Sequence, residues 1–305
     1  MPFESCKRYN VYLKDYMRKI RAAAKIVRGK VTKRTAKAGR ADQYKAAYNK
    51  RYHAARACGF DTSSSPLKLL FTSSEETAKV ARYGDFRLEM RPGTSDVKTV
   101  IEVLRTQMYK KAFEATSEVW GDFGAHIGTF AVYALAHGAK QIYCWEPFPD
   151  SRALLQRNVS GYPVKIHCQA VSWTGKERAL HLHGKTDARH TLREVRGRQT
   201  LQVQSAKFAD VLKEHKDITA VKMDIEGSEI EILQNLDFPA RIRVLTFEWS
   251  YSVQPDPAVL RKVLAKLRRA SWAIFHNASA LRRPRQASGD WMKMPDRDVV
   301  ITCMR

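Results

Sequence analysis

Residues 119–130 read Val-Trp-Gly-Asp-Phe-Gly-Ala-His-Ile-Gly-Thr-Phe, an apolar strand that runs through a glycine-rich turn into a helix. Asp122, Gly124 and Gly128 fall where the strand gives way to the helix. Glycine has no Cβ atom to keep a ligand away from the main chain, and the first turn of the new helix offers free N–H groups. The stretch therefore predicts a site for a nucleotide-like ligand.

A second apolar strand ends in Glu146, about twenty residues after the glycine turn. A carboxylate in this place can accept hydrogen bonds from both hydroxyls of a ribose. Adenosylmethionine and the nicotinamide dinucleotides both carry that ribose, so Glu146 alone does not separate them, and a glutamate that merely caps a helix is the structural alternative. The turn reads DxGAxxG and lacks the GxGxxG arrangement for a pyrophosphate, which favours adenosylmethionine.

Short apolar stretches alternate with helical ones through the rest of the chain. Strands are predicted at residues 118–123, 141–146, 164–170, 220–224, 244–249, 272–276 and 299–304, and helices at 129–137, 151–159, 206–215, 229–236 and 257–270. Such alternation predicts a mainly parallel, doubly wound α/β sheet. No helical pattern separates the last two strands, so a terminal antiparallel hairpin is predicted.

Residues 1–65 differ in character from residues 66–305, which we predict to be the catalytic domain. Lys and Arg occur 17 times from Lys7 to Arg56, with few acidic residues between them. Apolar residues recur there at helical spacing, which predicts a basic helical extension. Three interpretations remain open: an arm that binds an anionic substrate, an organelle-targeting presequence, or a solvated extension packed on the catalytic domain.

The five cysteines are scattered, without a CxxC pair or the spacing of a zinc site. This usage is typical of reduced thiols in an intracellular protein, so a cytoplasmic location is predicted, with organelle targeting as the alternative. No apolar run approaches the roughly 20 residues that span a bilayer, and a soluble protein is expected. The net charge of +23 favours an acidic partner such as nucleic acid, an anionic glycan or a membrane surface.

Four segments in this order resemble the FkbM-type methyltransferases. They are Asp122–Gly128, Glu146-Pro-Phe-Pro149 with Asn158 downstream, Ala170-Val-Ser172, and Lys222-Met-Asp-Ile-Glu-Gly-Ser-Glu229. The stretch Arg91-Pro-Gly-Thr-Ser-Asp96 also resembles the segment that precedes the glycine turn in that family. The resemblance covers roughly residues 85 to 250. Here His126 stands where the family usually has asparagine.

The resemblance implies a class I methyltransferase fold, Rossmann-like, with a seven-stranded and mainly parallel sheet. It also implies S-adenosylmethionine as the donor and a hydroxyl, often of a sugar, as the acceptor. Asp122, Gly124 and Gly128, with Ala125 and His126 in the same turn, would line the methionine end of the donor. Glu146 would hold the ribose, and Gln169 and Ala170 would lie near the adenine. Thr94, Ser95 and Asp96 are candidate substrate contacts.

Residues 220–227 form an apolar strand that ends in acidic residues and a glycine, at the edge where ligands bind in parallel sheets. Asp224 is the first candidate to orient the acceptor or to take its proton, and Lys222 shares its face of the strand. Glu248 ends the next strand and could face Asp224, and such carboxylates could hold Mg²⁺, although the spacing does not require a metal. His126 and His276 are further candidates for a base, each weighed against a structural role.

The leading interpretation is an O-methyltransferase for a sugar, a glycan or another hydroxylated and anionic acceptor. Basic residues crowd the helix at 257–270, and Arg282 and Arg283 follow in a loop that we predict to overhang the acceptor. An RNA ribose or cap methyltransferase is the alternative, favoured by the charge. A non-catalytic nucleic-acid-binding protein of the same fold is the third interpretation, opposed by the retained Asp122, Glu146 and Asp224.

Overall fold

The computed structural model describes the greater part of the chain beyond residue 66. The described residues are 67–71, 79–91, 94–115, 117–182, 190–250, 254, 256–277, 285–286 and 299–305. The predicted helical extension at residues 1–65 and the loop residues Arg282 and Arg283 lie outside them. None of the described helices combines the length and the apolar character needed to cross a bilayer.

A central sheet organises the described chain. Its strands are β4 (Val119–Phe123), β5 (Gln141–Trp145), β6 (Val164–His167), β11 (Ala220–Met223), β12 (Val244–Trp249), β13 (Ala273–Asn277), β14 (Arg285–Gln286) and β15 (Val299–Met304). They lie in the order β14-β13-β15-β12-β11-β4-β5-β6. Strands β12, β11, β4, β5 and β6 are parallel, whereas β15 runs antiparallel to both β12 and β13.

Within the described residues, six α-helices accompany the sheet. They are α1 (Asp96–Val100), α2 (Thr129–Ala136), α3 (Pro149–Asn158), α4 (Phe208–Glu214), α5 (Ser228–Asn235) and α6 (Pro257–Arg269). A π-helical turn (Ile101–Arg105) and a 3₁₀ turn (Lys110–Phe113) follow α1. Apolar residues of α1, α2 and α3 enter one hydrophobic cluster and those of α4, α5 and α6 enter another. Along the central strands, buried apolar residues belong alternately to one cluster and to the other. The sheet therefore lies between two helical layers.

Smaller sheets of two or three strands lie outside the central sheet. They are the antiparallel β1 (Leu67–Phe71), β2 (Lys79–Tyr83) and β3 (Phe86–Met90), the parallel pair β7 (Ala170–Ser172) and β10 (Ser205–Lys207), and the antiparallel pair β8 (Arg178–His181) and β9 (Thr200–Val203). The predicted single strand at 164–170 is wrong, because the chain leaves the central sheet after His167. Ala170 there donates its N–H to the carbonyl of Gln204 at 2.8 Å.

The seven-stranded, mainly parallel fold with an antiparallel terminal strand is confirmed, and β14 adds only two residues at one edge. The sequence of α6 shows why its bounds were predictable. Asp256 caps the helix by accepting the N–H of Ala258 at 2.8 Å, and Pro257 occupies the first turn. Leu260, Val263, Leu264 and Leu267 then follow at helical spacing and are all buried.

Candidate active site

The carboxyl ends of β4 and β11 meet at one edge of the sheet. Their register places Lys222 directly beside Asp122, and both residues are buried. The Lys222 Nζ atom lies 3.1 Å from Asp122 Oδ1 and 4.0 Å from Asp224 Oδ2, and it donates to the Gly124 carbonyl at 2.8 Å. Burial alone would lower the pKa of Lys222, but the carboxylates of Asp122 and Asp224 outweigh burial and raise it. A permanent ammonium group therefore holds the two strand ends together.

The turn after β4 and the loop after β11 are in direct contact at Gly124. This residue has φ +80°, and a Cβ atom on it would lie 1.9 Å from the Asp224 carbonyl oxygen. Its N–H donates to the Trp145 carbonyl at 3.0 Å, as does that of Ala125 at 3.1 Å. Only glycine allows this approach, since a Cβ here would collide with main chain that has no room to move.

Glu146, at the end of β5, binds main-chain N–H groups on both sides. Its Oε2 atom accepts from His126 N–H and its Oε1 atom from Phe148 N–H, each at 2.8 Å. Burial raises the pKa of Glu146, although these two hydrogen bonds oppose that effect. Each carboxylate oxygen has two lone pairs, so the group keeps capacity for further donors such as ribose hydroxyls.

His126 links the glycine turn to the segment before α1. Its Nε2 atom lies 2.8 Å from Arg91 Nη2 and 3.1 Å from Asp96 Oδ1. Asp96 is fully buried and also accepts three hydrogen bonds from Arg91, two of them from the guanidinium group. Burial alone would raise the pKa of Asp96, but His126 and Arg91 hold it well below its usual range. The ring of His126 thus fixes a turn whose main chain binds Glu146.

Replacing His126 should weaken donor binding through this link. Both His126→Ala and His126→Asn remove the ring contacts with Asp96, but Asn tolerates the positive φ of 51° better. We expect about tenfold weaker donor binding from either variant, and an extra loss of about 1 kcal/mol in unfolding free energy for Ala. Titration calorimetry with S-adenosylhomocysteine and urea unfolding measure the two effects. Wild-type donor affinity in both variants would show that the ring does not position the turn.

Asp122 has hydrogen-bonding capacity that its described partners do not use. Apart from the ion pair with Lys222, neither of its buried carboxylate oxygens has a hydrogen-bond partner among the described residues. Such oxygens are costly to leave unsatisfied. The methionine end of S-adenosylmethionine carries an ammonium group, so a buried acceptor beside the glycine turn fits that donor.

Residues 122–270 match the family model of the methyltransferase FkbM domain. This match identifies a methyltransferase FkbM domain at these residues, which make up just under half of the chain. The chain is therefore an S-adenosylmethionine-dependent methyltransferase, and the glycine turn, Glu146 and Asp224 all lie within the matched residues. No curated protein sequence matches the chain.

Solved methyltransferase structures resemble the chain at low sequence identity. TYW2 of P. horikoshii in complex with MeSAdo has 9% identity and a TM-score of 0.41, covering 84% of this chain and 81% of that one. A SAM-dependent methyltransferase of Agrobacterium tumefaciens has 8% identity and a TM-score of 0.39, covering 79% and 90%. The precorrin-6y C5,15-methyltransferase of Geobacter metallireducens has 13% identity and a TM-score of 0.36, covering 66% and 88%.

Two catalytic candidates, Asp224 and Glu248, influence a tyrosine that the sequence patterns do not single out. Tyr109, just before the 3₁₀ turn, is buried and packs edge-on against Phe130 with ring centroids 5.1 Å apart. Burial raises the pKa of its hydroxyl, and the charges of Asp224 and Glu248 raise it further. The Tyr109 hydroxyl therefore lies within electrostatic range of both carboxylates. Asp224 is 31% exposed. Tyr109 lies outside every motif, so only the folded chain reveals it.

Glu229 is a second residue to which the sequence patterns assign no role in the site. Both of its carboxylate oxygens accept from Gly227 N–H at 3.0 Å, and Gly227 occupies the N-cap of α5 with φ +106°. Burial raises the pKa of Glu229 to about 7. Through Gly227, the Glu229 carboxylate stabilises the loop that carries Asp224.

The other residues that the sequence predicts for the site lie on different elements of the fold. Ala170 is buried at the start of β7, with the half-buried Gln169 before it. Thr94 is buried and Ser95 is the N-cap residue of α1. His276 is buried in β13. Across the described residues, no group of three or more His, Cys, Asp or Glu side chains is placed to hold a metal ion.

Proposed function

We propose that this methyltransferase transfers a methyl group to a hydroxyl of a sugar, a glycan or another hydroxylated and anionic acceptor. The observation that carries the proposal is Asp224, a partly exposed carboxylate at the carboxyl end of β11 beside the glycine turn. A hydroxyl must lose its proton as it is methylated, and a carboxylate in that place can accept it.

The chemistry follows from the donor and from these side chains. S-adenosylmethionine supplies an electrophilic methyl group on a sulfonium, and transfer releases S-adenosylhomocysteine as the acceptor oxygen gains the methyl. Asp224 accepts the hydroxyl proton at a carboxylate oxygen, 4.0 Å from the Lys222 ammonium. Glu146 holds the ribose, Asp122 binds the methionine end, and Gln169 and Ala170 flank the adenine. Alignment of the acceptor with the methyl group supplies much of the rate enhancement.

RNA is the second candidate acceptor, favoured by the net charge of +23. Arg261, Lys262, Arg268 and Arg269 are exposed on α6. Lys266 of the same helix is instead engaged, because its Nζ atom donates to the carbonyl oxygens at the end of α5, with Leu236 at 2.8 Å. The basic face of α6 is therefore smaller than its sequence indicates.

A screen with methyl-labelled S-adenosylmethionine tests the proposed function. We expect label in neutral or anionic oligosaccharides and none in RNA, with the product stable to mild base as an ether is. Label in RNA that is lost with the ribose hydroxyl would favour the second candidate. Label on nitrogen or carbon alone would contradict a hydroxyl acceptor.

We further propose that residues 1–65 form a separate basic extension of a cytoplasmic enzyme and contribute to acceptor binding. The described cysteines, Cys144, Cys168 and Cys303, are free thiols, which supports a reducing compartment. Removing residues 1–65 is expected to leave the affinity for S-adenosylhomocysteine unchanged and to raise the KM for the acceptor. Loss of donor binding would show instead that the extension is part of the catalytic domain.

A further inference from the structure

Two contacts tie the segment of residues 190–199, which leads into β9, to the active-site edge. The Thr191 hydroxyl donates to the Glu226 carbonyl at 2.6 Å, two residues after Asp224. The ring of His190 lies edge-on against Phe148, two residues after Glu146, with centroids 4.3 Å apart. Glu226 follows β11 and Phe148 follows β5, the strands on either side of β4. Residues 190 and 191 therefore bridge the two loops that flank the glycine turn.

This segment is held in place by its own hydrogen bonds. Thr191 and His181 form a main-chain bridge, with N–H to carbonyl distances of 2.7 and 3.1 Å. The Thr191 hydroxyl also accepts from Arg193 N–H at 3.0 Å, and His181 Nδ1 lies 3.3 Å from Val195 N. Such a network fixes the main chain before any ligand arrives, which lowers the entropic cost of binding.

The side chains that follow Thr191 are basic. Residues 190–199 read His-Thr-Leu-Arg-Glu-Val-Arg-Gly-Arg-Gln, with one acid against three arginines. Arg193 and Arg196 are exposed. Arg193 follows Thr191 by two residues, a main-chain span of at most about 7 Å. Arginine binds carboxylate, sulfate and phosphate groups through two parallel hydrogen bonds, which makes it suited to such anions.

We propose that Arg193 and Arg196 bind an anionic group of the acceptor, a carboxylate, sulfate or phosphate carried near the hydroxyl that is methylated. The inference rests on the proposed function, because it places the acceptor beside Asp224. It adds the residues that select an anionic acceptor over a neutral one. The Thr191 anchor positions them, since it joins their segment to the loop that carries Asp224.

Amide NMR of the full chain saturated with S-adenosylhomocysteine, titrated with inorganic pyrophosphate, tests this directly. Signals of residues 190–198 report binding at this segment separately from binding at the basic residues 1–65. We expect these signals to shift in the wild type, with a local Kd at least tenfold weaker in R193Q/R196Q and about threefold weaker in each single variant. Thr191→Val removes the anchor without removing a charge and is also expected to weaken the local Kd.

The matched control is R268Q/R269Q, which removes the same charge from the exposed end of α6. It should leave the local Kd within about threefold of the wild type. Equal losses in both double variants, or no shift at residues 190–198, would overturn the proposal. A parallel loss of S-adenosylhomocysteine affinity in R193Q/R196Q would also overturn it, because the arginines would then serve the donor.

A methyl-transfer assay tests the proposed function separately from the pyrophosphate titration. The ratio of kcat/KM for a uronic-acid oligosaccharide to that for its neutral counterpart should exceed ten in the wild type and fall toward one in R193Q/R196Q. A ratio near one in both proteins would overturn the anion site while leaving hydroxyl methylation intact. Failure to methylate any hydroxyl would refute the proposed function but would leave the pyrophosphate shifts unchanged.

Discussion

Gly124→Ala is expected to abolish measurable donor binding and to destabilise the domain by about 3 kcal/mol or more. The added Cβ would lie 1.9 Å from the Asp224 carbonyl oxygen and 3.2 Å from the Ile225 side chain. A contact with main chain is not relieved by a rotamer change, so the β4 turn and the β11 loop must separate. That movement displaces the turn from Glu146 and Asp224 together.

Gly138→Ala is the matched control for this variant. Gly138 has φ +89°, close to the φ of +80° at Gly124, but a Cβ there has no atom within 4 Å. It therefore carries the backbone cost of about 1 kcal/mol without the collision. Urea unfolding and calorimetry with S-adenosylhomocysteine compare the two variants. If Gly124→Ala bound the donor as Gly138→Ala does, the contact between the two loops would not shape the site.

Asp224→Asn is expected to lower kcat by about 100- to 10,000-fold, because the amide cannot take the hydroxyl proton. The affinity for S-adenosylhomocysteine should stay within about threefold of the wild type, since the change preserves shape and we propose that Glu146 and Asp122 hold the donor. Steady-state kinetics with any acceptor that the labelled-donor screen identifies give kcat, and calorimetry gives the donor affinity.

Asp210→Asn serves as the control for the loss of a carboxylate. Asp210 is largely exposed on α4, where it pairs with the exposed Lys213 at 3.2 Å. Its replacement should leave kcat unchanged, as a surface ion pair contributes little. A kcat for Asp224→Asn within threefold of the wild type would exclude Asp224 as the proton acceptor. Glu248 and Tyr109 would then be the candidates for that role.

The elements of the central sheet could be predicted because their signals are local. The strands at 244–249 and 299–304 have the predicted bounds, since each is an apolar run with clear ends. The glycine turn was recognisable for the same reason, as its short-range pattern of glycines after a strand directly reflects the positive φ of Gly124 and Gly128. For these strands and this turn, the structure adds only the residues that they contact.

The contacts that complete the site join residues far apart in sequence, and no local pattern predicts them. His126 meets Asp96 and Arg91 across about thirty residues of chain, and Thr191 meets Glu226 across 35. The sequence makes Asp96 a candidate substrate contact, and the structure adds that its carboxylate contacts Arg91 and His126. Residues 190–199 have no apolar periodicity of their own, so their place at the active-site edge depends on tertiary contacts.

We propose that the glycine turn and Glu146 together form the donor pocket. Titration calorimetry of the full chain with S-adenosylhomocysteine tests this pocket, using Glu146→Gln and, as control, Glu118→Gln at an exposed ion pair with Lys140. We predict one site in the wild type and in Glu118→Gln, with affinity at least about tenfold lower in Glu146→Gln because a charged acceptor is lost. Equal affinity in all three proteins, or no binding heat in the wild type, would show that Glu146 and the glycine turn do not bind the donor.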